Sequence, residues 1–312
     1  MPSDIPDAPS PSRLNPAQEG VACAMTAFFL WGLSAWFYKV IHYVPAYEVI
    51  AHRVVWSVPL AAAVLIVIGR TGDIGRAFRT PKILLTLMFT AALVSLNWLL
   101  YVWAVVGGYA LEASLGYFIN PLMSVLLGLV LLREKLLPAQ AVAVGLAVVA
   151  VIIQTVLVGS FPWLALTLAS TFATYGYLRK TIDIGPAQGF LVEILLVLPV
   201  VIAYLVWVHA RGDAHFASDG FTTFWLILAG PMTALPLMLF ATAARRIRLS
   251  TLGLLQYIAP SLIFVTAIFV FGEPMNLARF ASFALIWIGL AIYSISAMRE
   301  DRRQRERARL PG

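Results

Sequence analysis

SLGYFINPLMSVLLGLVLLRE (residues 114–134) and GLLQYIAPSLIFVTAIFVFGE (residues 253–273) carry one pattern twice. In each, a proline stands inside an apolar stretch and a glutamate follows 13 residues later: Pro121 then Glu134, Pro260 then Glu273. The copies are offset by 139 residues, close to half of a 312-residue chain. Both stretches are apolar enough to span a bilayer. A duplicated helical bundle with an interrupted helix in each half is a recurrent plan among membrane transport proteins.

Composition agrees with that plan. Hydrophobic residues make up 61% and charged residues 12%, against ~25% charged in ordinary soluble domains. The apolar residues come in blocks of about 20, the length of helix that crosses ~30 Å of hydrocarbon. They lack the alternation of barrel strands, so an all-α polytopic membrane protein is predicted. The net charge of +7 does not point to nucleic acid, because the basic residues sit between the spans. Cys23 is the single cysteine and permits no intrachain disulfide. No G-x-x-x-x-G-K-[ST] phosphate loop, H-E-x-x-H motif or Cys/His cluster occurs, so neither a cofactor nor a metal is expected.

Ten spans are predicted, at about 20–41, 46–68, 82–106, 112–132, 138–157, 161–178, 187–209, 221–244, 250–271 and 276–298. Eighteen Lys and Arg fall on one side and three (Lys39, Arg211, Arg279) on the other, with Arg53 inside a span. The positive-inside rule then puts both termini in the cytoplasm. The repeat reaches the start of each half: Lys39, Pro45 and Ala46 match Lys180, Pro186 and Ala187 at an offset of 141. Five helices per half is an odd number, so the second copy lies upside-down and the predicted fold is a 5+5 inverted repeat. The expected divisions are a disordered cytoplasmic tail over 1–18, one five-helix repeat over 19–157, a second over 158–298, and a basic cytoplasmic tail over 299–312.

Pro121 and Pro260 are expected near the centres of spans four and nine. A mid-helix proline leaves the carbonyl four residues earlier without a donor, here those of Tyr117 and Gln256. With Asn120 and Tyr257 beside them, these residues suit a substrate site at midplane depth; a purely structural kink is the alternative. Ionisable residues within spans cost ~2.5–3.5 kcal/mol on an insertion scale and so face a cavity or a partner. His52 and Arg53 lie roughly 10 Å inside one interface at ~1.5 Å per residue. Glu193 lies about as deep from the opposite interface, which argues against a direct Arg53–Glu193 bridge; an Arg53–Glu48 pair is the alternative. Arg53 is placed to meet an anionic substrate group such as a carboxylate, and Glu193 is the proton-coupling candidate. Asn97 and Tyr101 on span three are candidate polar contacts, with interhelical hydrogen bonding the alternative for Asn97. Trp31, Trp36 and Tyr175 are candidate aromatic cavity walls. Glu134 and Glu273 are read as surface or helix-packing charges, Lys39 as snorkelling, and His42, His209 and His215 are given no role.

These residues resemble the RarD-type proteins of the EamA family, within the drug/metabolite transporter superfamily. The resemblance is carried by Trp31–Gly32, EVIAHRVVWS (48–57), NWLLYVWAV (97–105), LEASLGYFINPL (111–122), TYGYLRK (174–180), Glu193, GPMTALPL (230–237), AARR (243–246) and STLGLLQYIAP (250–260). It covers about residues 19–298. It implies a ten-helix permease of the bacterial inner membrane, with a central cavity between the halves and a small-molecule substrate. The family label associates such proteins with chloramphenicol sensitivity or resistance. The expected function is a secondary active exporter of small metabolites or drugs working by alternating access, as a monomer embedded in lipid. A lipid-intermediate flippase and a non-transporting receptor or scaffold remain as alternatives.

Overall fold

The computed structural model describes residues 16–67, 69, 71–132, 138–157, 159–247 and 255–309. These residues form twelve helices: α1 (Pro16–Val40), α2 (Ala46–Val67), α3 (Gly72–Arg79), α4 (Pro81–Gly107), α5 (Ala110–Leu132), α6 (Pro138–Leu157), α7 (Trp163–Thr181), α8 (Pro186–Ala210), α9 (Gly220–Leu228), α10 (Pro231–Arg246), α11 (Ile258–Phe269) and α12 (Leu277–Arg309). Six apolar segments are long enough to cross a membrane: Gln18–Val40, Ala46–Val67, Pro81–Gly107, Ala187–Ala210, Gly220–Phe240 and Leu277–Ser296. The chain is therefore a multi-pass, all-helical membrane protein. Glu134 and most of the predicted N-terminal tail lie outside the described residues.

Helix boundaries follow local chemistry. α4 and α8 each open on a proline, whose missing N–H would be unpaired in a first turn anyway. α4 closes at Gly108, whose φ of 81° is open to glycine and strained for other residues. Asp219 caps α9 by accepting from the Thr222 amide at 2.8 Å and the Thr222 hydroxyl at 2.6 Å. Those bonds, the hydroxyl's first, hold its carboxyl below the usual carboxylate range.

Packing pairs relate the halves. α1 packs on α10 and α11, while α7 packs on α4 and α5. Exchanging the halves by the sequence offset turns each of these contacts into the other. The α2–α8, α5–α11 and α6–α12 contacts map onto themselves. Two exchange-related contacts, α1–α11 and α7–α5, each close on a glycine. A Cβ on Gly32 would fall 2.6 Å from Leu262, and one on Gly116 would fall 2.7 Å from the Ala165 carbonyl oxygen. The Ser114 hydroxyl donates to the Pro260 carbonyl at 2.8 Å and joins the two proline-bearing helices.

Several expectations are corrected. Pro121 lies within a continuous α5, but Pro260 occupies the first turn of α11, which follows Tyr257 as its N-cap. A first-turn N–H has no intrahelical acceptor, so Pro260 deprives no mid-helix carbonyl at Gln256 of its donor. Span eight is two helices, α9 and α10, separated at Ala229–Gly230. The break brings Gly230 so close to α2 that a Cβ there would lie 2.3 Å from the Trp56 carbonyl carbon. The 68–81 connection, read as a loop, contains α3, whose Arg76 pairs with Asp183. The last helix continues to Arg309, so the described part of the expected basic tail is helical.

Candidate functional site: a caged arginine between two closures

Arg53 on α2 is 6% exposed. Its guanidinium lies over the Trp98 ring, 4.1 Å from the centroid, and 5.9 Å from that of Tyr38. Its Nη1 donates to the Tyr38 hydroxyl at 3.0 Å, whereas Nε has no hydrogen-bond partner. Among the described residues no carboxylate lies within ion-pairing distance of it. The cage continues through edge-on ring contacts from Tyr38 to Tyr101 (6.1 Å) and from Tyr101 to Tyr117 (5.6 Å). A desolvated cation–π contact recovers about 2 kcal/mol, comparable with the cost of an intramembrane charge on an insertion scale. Aromatic rings thus hold this cation where an acid would otherwise be required.

On one side of Arg53 the 211–219 loop folds inward over α2. Glu48 is 1% exposed and accepts from the His215 amide at 2.8 Å, the Phe216 amide at 3.3 Å and His215 Nδ1 at 2.8 Å. This latch seats the Phe216 ring on His52, with centroids 4.6 Å apart and planes 22° apart. Phe216 also lies 6.2 Å from Trp56. Both His52 ring nitrogens are without a hydrogen-bond partner. Ala217, next in the loop, has a φ of 64°, a conformation that costs a non-glycine residue roughly 1–2 kcal/mol.

A second buried cluster centres on Glu193 of α8, 2% exposed. Its Oε1 accepts from Thr90 on α4 at 2.7 Å and faces Arg179 Nε at 3.6 Å; its Oε2 accepts from Tyr175 on α7 at 3.2 Å. Arg179 can lie here because residue 189 is glycine: a Cβ would sit 1.9 Å from its Nη1. A cleft of about 10 Å³ between α2, α4 and α8 is lined by Val54, Val94, Trp98, Glu193 and Val197 among others. That is about the room one water needs, so this cleft is too narrow for a substrate in this conformation.

The remaining predicted residues take distinct positions. Asn97 donates to the Leu168 carbonyl and the Thr171 hydroxyl, both at 2.9 Å, and accepts from Tyr117 at 3.3 Å; its amide therefore joins α4, α5 and α7. The Tyr101 hydroxyl pairs with Ser34 at 2.8 Å. Asn120 is buried, and its Oδ1 has no partner. Trp31 packs on Phe28 and Phe240, and Tyr257 stacks on Phe118; Gln256 is half-buried at the turn before α11. Trp36 is 51% exposed. The Arg53–Glu48 alternative is not formed, because Glu48 is occupied by the loop. Glu273 accepts from the Ala110 and Leu111 amides at 2.7 and 2.9 Å and caps α5. Sequence reading left out Tyr38, Arg179, His215 and Phe216. The detectable signal for Arg179 was a buried acid one helix away that needed a partner.

Comparison with known proteins adds the lineage. Residues 18–156 match the EamA-like transporter family. Protein RarD of Salmonella typhi is 42% identical over 92% of this chain and 98% of its own length. The chain belongs to the EamA-like transporter family, among its RarD proteins. An uncharacterized transporter of Pseudomonas aeruginosa is 40% identical over 92% of this chain and 96% of its own. A crystal structure of a protein only 18% identical superposes with a TM-score of 0.57, covering 90% of this chain and 98% of that one, a likeness of fold alone. As an EamA-family member of the drug/metabolite transporter superfamily, the chain is a membrane transporter, for which a small-molecule substrate and a lipid environment follow.

Proposed function

We propose that this member is a secondary active exporter of small metabolites or drugs in the bacterial inner membrane. It has ten spans in a 5+5 inverted repeat, both termini in the cytoplasm, and works by alternating access as a monomer. The observation that carries the reading is the caged Arg53 lying between two different closures, the Glu48 loop latch and the Glu193 cluster. A transporter that exposes one site alternately to two sides needs two such closures, opened one at a time. The exchange-related packing pairs, α1–α10 with α7–α4 and α1–α11 with α7–α5, support the reading of two related halves. The 18-to-3 distribution of Lys and Arg supports the orientation.

In this mechanism substrate meets Arg53 and the polar atoms around it, including His52 and Asn120, when one closure opens. Glu193 carries the coupling proton. Protonation removes its charge, loosens Arg179, and gives one of its two oxygens an O–H that competes as a donor with the Thr90 or Tyr175 hydroxyl on that oxygen, while the other oxygen still accepts. The test is an efflux and uptake panel in proteoliposomes with an imposed proton gradient. Glu193→Gln is expected to abolish pH-driven transport while substrate binding persists. Unchanged pH dependence in that variant would remove Glu193 from the coupling role.

A further inference from the structure

Resting on the transporter reading above, we infer that Arg53 receives a net-negative organic acid, bound through its carboxylate, and that the site is built against zwitterions and cations. The first ground is an uncompensated charge. Arg53 is buried, permanently cationic and unpaired with any acid among the described residues. The second is a free donor. The aromatic face is covered by Trp98, one Nη1 bond goes to Tyr38, and the Nε edge has no acceptor. That edge is the one a carboxylate meets in a side-on, two-bond geometry.

The third ground sets the substrate class more narrowly. An ammonium group on the same substrate would need an acid, and both buried acids of the flanking closures are engaged. Glu48 accepts three bonds from His215 and Phe216. Glu193 takes Thr90 and Tyr175 and faces Arg179. Among the described residues, the neutral buried atoms left without a partner are the His52 ring nitrogens, Trp56 Nε1 and Asn120 Oδ1. They suit hydroxyl or amide groups on the body of the acid. Tyr38, Trp98, Tyr101 and Tyr117 offer that body an apolar, ring-lined wall.

The test uses the full chain purified in nanodiscs and reads thermal stabilisation and tryptophan fluorescence. Four probes that share one phenyl ring present an anionic, a neutral, a cationic and a zwitterionic head group: benzoate, benzamide, benzylamine and phenylalanine. Benzoate is expected to stabilise the protein selectively. Arg53→Gln should weaken benzoate roughly ten- to a hundredfold, the worth of a hydrogen bond to a charged group. Arg53→Lys, which keeps the charge and loses the fork, should fall in between and guards against a folding defect in the first variant. Equal response to benzamide, benzylamine or phenylalanine, no response to benzoate, or an unchanged benzoate response in Arg53→Gln would overturn the inference. Flux is measured separately. Arg53-dependent benzoate binding without any flux would leave the anion site standing and sink the transporter reading. Flux of neutral probes that survives Arg53→Gln would do the reverse.

Discussion

Asn97 shows what a single polar side chain does at the centre of a bundle. Its amide uses three bonds to join three helices, and interhelical hydrogen bonds in membranes are worth ~0.6 kcal/mol on average. Asn97→Ala should therefore lower unfolding stability by roughly 1–2 kcal/mol, read as a lower thermal midpoint in detergent. Gly189 makes a sharper prediction. Because the Arg179 guanidinium occupies the space of a Cβ there, Gly189→Ala should reproduce the transport defect of Arg179→Gln. Combining the two should add little, since they break one interaction. Buried charges were the most legible residues in the sequence: Arg53 and Glu193 stand out because lipid makes them costly wherever they point. Tyr38 was not legible. An aromatic residue on an apolar helix reads the same whether it faces protein or lipid, and Trp36, two residues earlier, is largely exposed.

At the scale of elements, the 211–219 loop is held by contacts that can be removed one at a time. Glu48→Gln keeps the shape of the side chain and loses the charge that binds the His215 and Phe216 amides. Hydrogen exchange at those two amides should accelerate, while Ser218 and the α9 cap at Asp219 stay protected. Ala217→Gly should act in the opposite direction, relieving roughly 1–2 kcal/mol of left-handed strain, less glycine's greater entropy loss. Hydropathy located the long spans, since it depends on composition alone. It missed the α9–α10 break, because Ala229–Gly230 is as apolar as its surroundings and its reason is the close approach of Trp56. It missed α3 because eight residues with two arginines fall below any spanning window.

For the whole molecule, the proposed mechanism makes the Glu48 and Glu193 clusters two gates on Arg53, and alternating access requires that they do not open together. Single cysteines placed at His52 and at Thr90, in a Cys23→Ser background, should label from opposite faces of sealed vesicles. Adding Glu48→Gln should raise labelling at position 52 and lower it at position 90; parallel increases at both would argue for a leaky pore. The closures differ in how they are built. One joins Glu48 to residues 215–216 of a single loop; the other gathers side chains from three helices, α4, α7 and α8, around Glu193. Glu273 has a related history in synthesis. It is the group that pairs with the first amides of α5, at Ala110 and Leu111, yet it is translated more than 160 residues after them. At ~5–20 residues per second, those amides exist for on the order of ten seconds or more before their acceptor leaves the ribosome. Until then the first turn of α5 has its amides met by water or by other groups, and Glu273 can close that helix end only after the C-terminal half is made.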